Sequence, residues 1–513
     1  MRRPSLLALQ ASLTALVTLL FPAHVVCAAD TARTELGRPL MANYSPRQYQ
    51  GHNQVFGGFQ AEDGLFYFVN GGQVLRFDGE NWERIPVPSP YVRGIVAGQD
   101  NRIYIGAVDE FGYLRTRPDG SAEYVSLKPS LPPDLQNIGP VWATVRWDDS
   151  ILFATPNRVL RWRSGKIDTI AVDGTPRHIL RNINNVLWQH VPGRGLFYLE
   201  QNRFTPVPVP REFVETSSFL FTAGPEAGTY LVGVDSGRLY LWREGETTAK
   251  PWDSEADALL RTQGLFGGNR LKSGNLLLTT RSGTVMLVSP QGKLLRFLDA
   301  DSGLDPAQVY GISEDRHGAV WLGSSKGVYR IELESPFTVF DRLNGRVRGE
   351  FFDTFRLNGT LHTYTVEGLY RLRAGNLRTP EHARWERLPG PPTMYWNVSG
   401  GSDRAIVASD AGLMEFDGEK QTLIERFPTP VVSFVWSVSD AARLFVGTGN
   451  HLVFLKRDAS GWRREGEIPG VGTELRMLLE TPDGTLWGSG HTRGFFRINR
   501  PAGSDDWTRA TVN

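Results

Sequence analysis

The stretch VYGISEDRHGAVWLGSSKGVYRIE, residues 309–332, decides how the chain is read. It opens on an apolar strand, turns at Asp315 to Gly318, runs through a second strand at 320–323 and begins a third at Gly327. Polar and apolar positions alternate along these short segments, and turn residues punctuate them at regular intervals. That pattern predicts half-buried antiparallel sheet. The unit recurs in both directions. Equivalent second strands can be placed at 66–70, 103–106, 151–154, 186–189, 230–233, 276–279, 320–323, 361–364, 405–408, 444–447 and 485–488.

From the first of these to the last the mean spacing is about 42 residues, the period of a four-stranded propeller blade. One such sheet cannot bury both of its faces alone, so neighbours must stack around an axis and the array must close. The fold expected is therefore an all-β β-propeller. Rings of four to eight blades are the norm, so eleven units divide into a seven-bladed ring over 40–340 and four blades of a second, incomplete propeller over 341–513. Most of Trp82, Trp142, Trp162, Trp188, Trp242, Trp321, Trp396, Trp436, Trp462 and Trp487 then fall between blades as packing residues.

Residues 1–29 read as a signal peptide, with Arg2 and Arg3 ahead of an apolar stretch from Leu6 to Phe21 and small residues at Ala28 and Ala29. The single cysteine, Cys27, lies inside it, so the mature chain is expected to hold no disulfide and no cysteine nucleophile. No later run of eighteen apolar residues occurs, and no further membrane span is expected. The formal charge of +1 becomes about −1 without Arg2 and Arg3, and both signs are scattered. No basic stripe points to nucleic acid.

Around the opening stretch the sequence resembles the two-component regulator propeller repeat. Asp301-Ser302-Gly303-Leu304-Asp305-Pro306 supplies its loop, with Ser302 inserted and the proline displaced by one, and Glu314-Asp315, Gly318, Trp321-Leu322-Gly323 and Gly327-Val328-Tyr329-Arg330 follow. Tyr44, Tyr49, Gln54, Asp63-Gly64, Tyr67-Phe68, Asn70, Phe77-Asp78-Gly79 and Trp82 resemble the opening of such sensor chains, and Glu110-Phe111-Gly112-Tyr113 a later stretch. The resemblance implies the periplasmic ligand-sensing region of a hybrid histidine kinase or diguanylate cyclase, normally two seven-bladed propellers, a small β-sandwich, a membrane helix and an output domain. Here the sequence reaches Asn513 after the eleventh unit. The expectation that goes with this is a split receptor, or a free-standing relative whose second ring another sensor chain completes.

Strings that look catalytic are explained by the repeat. Gly323-Ser324-Ser325-Lys326-Gly327 fits a nucleophile elbow, but a strand follows where the elbow needs a helix. Asp299, Asp301 and Asp305 lack the closing glutamate of a calcium loop. The histidines show no metal-binding spacing. No cofactor and no metal is expected.

In a propeller the loops between second and third strands, with those leading into each innermost strand, converge on one end of the channel. The candidate binding residues there are Asn70, Arg93, Asp109, Glu110, Trp142, Asn157, His178, His190, Arg194, Arg281, Tyr310 and Lys326. Aromatic faces mixed with charged donors and acceptors suit a small polar molecule or an oligosaccharide fragment. The function expected is a non-catalytic periplasmic ligand sensor. Two rivals are a propeller hydrolase or lyase acting on polysaccharide through Asp109 or Glu110, and a periplasmic protein-binding scaffold.

Overall fold

The chain is an all-β β-propeller protein. Its computed structural model describes residues 34–513 except 173–178, 217–218, 306–307, 344, 346, 378–380, 391–392 and 401–402. His178 and residues 1–29, expected to be a signal peptide, therefore lie outside the described residues. Two compact units divide the chain. One comprises Arg38–Val339 with Asn376–His382, and the other Phe340–Gly375 with Ala383–Asn513 and the described residues up to Gly37.

Among its described residues the first unit holds seven four-stranded antiparallel sheets, spanning 55–86, 92–126, 143–171, 179–206, 219–251, 265–298 and 309–331. Each of the first six runs in simple up-and-down order from its innermost strand outward. The seventh is completed differently: its three consecutive strands take their outer partner from Met41–Tyr44, which pairs antiparallel with Gly327–Ile331. Residues distant in sequence thus close the circle.

Burial explains why the second strands are so apolar. In Leu276–Thr280 all five residues are buried. Leu276 and Leu278 pack toward the fifth sheet with Leu239, Leu260 and Leu265, while Leu277 packs toward the seventh with Val309, Val320 and Leu322. These strands are covered on both faces, not half-buried as the alternation predicts, because a neighbouring sheet lies on either side. Seven apolar clusters occupy the seven junctions, six between consecutive sheets and the last between the seventh sheet and the first.

The closing junction is the most aromatic. Trp321, 3% exposed, sits with its ring centroid 4.3 Å from Phe66 and 5.8 Å from Tyr44, stacked nearly parallel to the latter. Phe77 and Trp82 of the first sheet complete the group. The turn aspartate of the repeat fixes this tryptophan. Asp315 accepts the amide N–H groups of His317 and Ala319 at 2.9 and 3.0 Å on one oxygen, and the indole N–H of Trp321 at 3.0 Å on the other. Asp63 and Asp100 repeat the device on other sheets, each accepting a turn amide and the hydroxyl of Tyr67 or Tyr104. One carboxylate therefore shapes the turn and orients an aromatic side chain of the second strand.

The second unit holds four sheets, spanning 351–387, 395–425, 431–468 and 475–512, joined by three apolar clusters of the same kind. Its last sheet turns Leu486 and Ile498 inward, while Met477, Leu479, Trp487 and Phe495 stand exposed on the opposite face. Trp487 thus departs from the expectation of packing between blades, because this face carries no apolar cluster among the described residues. No helix among the described residues is long and apolar enough to cross a membrane.

Replacing Trp321 by Ala removes the centre of the closing cluster and leaves a buried carboxylate without its indole donor. In urea unfolding of the full chain it should cost about 3–5 kcal/mol. A midpoint unchanged from wild type would contradict the role given to this junction.

Candidate functional site

The side chains that gather at the head of the channel are set there by a repeated backbone irregularity. On the innermost strands of the first, second, sixth and seventh sheets the register slips by one residue, between Val55 and Gly57, Val92 and Gly94, Leu265 and Gly267, and Val309 and Gly311. Such a bulge leaves one residue out of the ladder and re-aims its side chain. The residues re-aimed are Phe56, Arg93, Phe266 and Tyr310. Trp142, immediately before the innermost strand Ala143–Trp147, stands at the matching place on the third sheet.

Glycine follows each of these four bulges, and at Gly94 and Gly311 neighbouring innermost strands approach closely. A Cβ on Gly311 would lie 2.7 Å from the carbonyl oxygen of Phe56, and one on Gly94 would lie 2.5 Å from Thr144 Oγ1. Contacts that short are excluded by hard-sphere sterics.

Two linked groups result. The guanidinium of Arg93 lies over the rings of Phe56, Trp142 and Tyr91, at 4.7, 5.2 and 5.6 Å from their centroids. Its Nε is buried without a hydrogen-bond partner. Phe56 also meets Tyr310 at 5.3 Å, and Tyr310 meets Phe266 at 6.2 Å. The Tyr310 hydroxyl accepts from the Gln54 amide and donates to Gln308, both at 3.2 Å. Aromatic faces beside a cation held by rings rather than by a carboxylate form a surface that can stack a flat or ring-shaped ligand and still donate to an anion. Burial pushes the pKa of Arg181, on the fourth innermost strand, below its ordinary value, and this arginine too has no ion-pair partner among the described residues.

Of the residues named from sequence, Arg93, Trp142 and Tyr310 are brought together here. The others are placed elsewhere. Asn70 is fully buried and staples the approach to the first sheet, donating to the carbonyls of His52 and Gln54 and accepting from the amide of His52 and from Gln73. Glu110 is buried and accepts from Tyr124, Ser126 and the Phe111 amide. Asp109 binds Lys128 at 2.7 Å and the Ile138 amide at 3.1 Å. Burial raises the Asp109 pKa, but these bonds and the Lys128 charge outweigh it and hold the carboxyl below its usual range. Both carboxylates are committed to loop structure. Asn157 is an exposed turn residue, Arg194 lies over Phe197 at 5.5 Å, Arg281 faces Asp235 at 3.7 Å, and Lys326 pairs with Asp305 at 2.8 Å.

His190 is 2% exposed and shares a hydrogen bond of 3.0 Å with the Phe213 carbonyl. Burial, reinforced by the charge of Arg181, pushes its pKa down to about 4 from the ordinary 6.5, against the opposing effect of that carbonyl. It is a neutral packing residue near pH 7. Among the described residues no cluster of three or more His, Cys, Asp or Glu is grouped to hold a metal ion.

Phe56 and Phe266 were not among the residues named from sequence. Their signal is the apolar-X-Gly triplet opening the innermost strand, seen at Val55-Phe56-Gly57, Val92-Arg93-Gly94, Leu265-Phe266-Gly267 and Val309-Tyr310-Gly311.

No protein-family model and no curated protein matches the chain. Solved structures do. The extracellular domain of a hybrid two-component system of B. thetaiotaomicron is 13% identical, with a TM-score of 0.55 over 92% of this chain and 72% of that one. The extracellular domain of a one-component system from the same organism is 12% identical with a TM-score of 0.46, and the 90% of this chain that aligns covers 66% of that domain. Virginiamycin B lyase from Staphylococcus aureus is 12% identical with a TM-score of 0.45 over 57% of this chain and 97% of its own.

Between pH 6.5 and about 4 the unfolded chain takes up a proton at residue 190 that the folded chain refuses. The stability from this site is therefore complete above about pH 6.5 and is lost as pH falls toward 4. A His190→Gln variant should flatten the acid limb of stability against pH by about 1.4 kcal/mol per unit in that window. An acid limb of unchanged slope would show that this histidine titrates normally. Taken together, the bulged ring and the comparison of highest TM-score quoted establish one likeness, that of the propeller fold.

Proposed function

We propose that the chain is the periplasmic ligand-binding propeller of a signalling system, which recognises a small polar molecule or an oligosaccharide fragment and performs no chemistry on it. The observation that carries this reading is the ring of bulged side chains, Phe56, Arg93, Phe266 and Tyr310 with Trp142, set at one end of a closed seven-sheet circle. A rigid scaffold presents them from different sheets. Aromatic rings are suited to the apolar face of a sugar, and a ring-held guanidinium to its oxygen atoms.

The absence of catalysis is supported by what the carboxylates do. Asp109 and Glu110 are engaged by Lys128, Tyr124, Ser126 and backbone amides. A hydrolase would need a pair of carboxyl groups flanking a scissile bond. The resemblance to sensor repeats and the similarity in fold to the extracellular domain of a hybrid two-component system support placement outside the cytoplasm.

The test is a thermal-shift and calorimetric screen of the full chain against neutral and acidic mono- and oligosaccharides. A ligand should raise the melting temperature, remain chemically unchanged by NMR, and bind about tenfold or more weakly to Arg93→Ala and to Tyr310→Ala. Turnover of the ligand, or binding indifferent to both substitutions, would defeat the proposal.

A further inference from the structure

The four-sheet unit contains a cleft that is separate from the ring. It has a volume of about 780 Å³ and an adjoining lobe of about 530 Å³, the two sharing Arg348 and Glu367. Those sizes are in the range of small-molecule sites. The cleft lies where the second-to-third strand turns of two successive sheets, at Val366-Glu367 and Asp410, meet the segment leading into Tyr395–Gly400. These are the loop classes from which propellers build binding sites.

Among the described residues, three arginines line it. Arg342 lines the smaller lobe, Arg348 both, and Arg387 the larger. Arg387 donates through Nε and Nη2 to the backbone carbonyl of Glu367, at 3.2 and 2.7 Å, which orients its guanidinium without cancelling its charge. The side chains of Arg342 and Arg348 have no hydrogen-bonded or ion-paired partner among the described residues. Other arginines of the chain are neutralised by carboxylates, as Arg356 is by Glu35 and Arg443 by Glu465. The segment carrying Arg348 is itself held, because its amide donates to the buried Tyr370 hydroxyl at 3.2 Å.

The remaining lining narrows the ligand. Trp385 contributes a half-buried aromatic side chain, braced edge-on by Phe340 at 5.8 Å. Glu367 and Asp410 add carboxylates, Asp410 already accepting the Trp396 indole N–H at 2.6 Å. A compact inorganic anion would be attracted by the arginines but repelled by these carboxylates and would leave the aromatic surface unused. A molecule with at least one carboxylate, several hydroxyls and an apolar ring face satisfies all three groups, since Arg binds carboxylate bidentately, Glu and Asp accept from hydroxyls, and Trp stacks on sugar C–H faces.

We infer that this cleft is a binding site for a sugar acid, with Arg342 and Arg348 receiving the carboxylate and Trp385 the ring. It is a site additional to the ring of bulged residues and does not depend on a ligand binding there.

The probe is digalacturonate, titrated calorimetrically into the full chain, with the neutral disaccharide of galactose and inorganic phosphate as comparators. Digalacturonate should bind about tenfold or more tightly than either comparator, and its affinity should fall with added salt. The double variant Arg342→Ala/Arg348→Ala, whose exposed side chains take no part in packing, should keep the wild-type circular dichroism and lose that binding about tenfold or more, while Arg93→Ala should leave it unchanged. No binding of digalacturonate, equal binding of galactobiose or phosphate, or insensitivity to the double variant would overturn the inference. Loss of binding in Arg93→Ala alone would also overturn it, and would assign the sugar acid to the ring, so that the two readings fail separately.

Discussion

Apolar sheet faces must be covered, and in this chain every other feature follows from how that is done. A four-stranded sheet with a second strand such as Leu276–Thr280 is apolar on both sides, so it needs two neighbours. Stacking supplies them in series, and the series has no free end only when the last sheet meets the first. The aromatic cluster of Trp321, Phe66, Phe77 and Tyr44 forms that meeting, and the pairing of Met41–Tyr44 with Gly327–Ile331 ties it in hydrogen bonds. Because that strand comes from the start of the unit, the ring cannot be opened without also losing an edge strand.

Closure has a geometric consequence at the axis. At Gly94 and Gly311 neighbouring innermost strands approach so closely that a side chain would not fit, and at four sheets the residue ahead of the glycine is thrown out of the ladder. The bulge is the device that presents Phe56, Arg93, Phe266 and Tyr310. It also explains why an arginine can be held by three rings in place of a carboxylate, since the site is shaped by the backbone rather than by ion pairing. In the four-sheet unit the same bulges recur, at Phe352, Trp396, Val432 and Arg476, and a cleft forms beside the turns.

Much of the fold is legible in the sequence because it is repeated. Each of the eleven predicted second strands falls on the second strand of a sheet, with only the last displaced by a residue, Thr485 preceding Leu486–Gly490. Strand pairing within a unit is local, and its turn aspartate, glycine and aromatic residues are close together in the chain. The outer strand Met41–Tyr44 was not legible, since its partner lies almost three hundred residues away and nothing in four short residues announces the pairing. The site is legible only in part. Loop position led to Arg93, Trp142 and Tyr310, which the structure brings together, and also to Asn70, Glu110 and His190, whose polar atoms turn inward to satisfy buried backbone groups or to fill the packing between sheets. Polar residues near a channel mouth serve the loops first, and sequence position alone does not separate the two roles. A glycine follows the bulge at four positions of the seven-sheet unit, while the bulges of the four-sheet unit lack it.

The closing strand offers the most direct measurement. Amide hydrogen exchange, followed by mass spectrometry on the full chain under native conditions, can compare residues 41–44 with 327–331 and with surface turns. If the ring is closed by this pairing, both segments should be protected to a similar degree, and both far above the turns, because opening one frees the other. Exchange of 41–44 at the rate of an unstructured loop, with 327–331 still protected, would contradict the account.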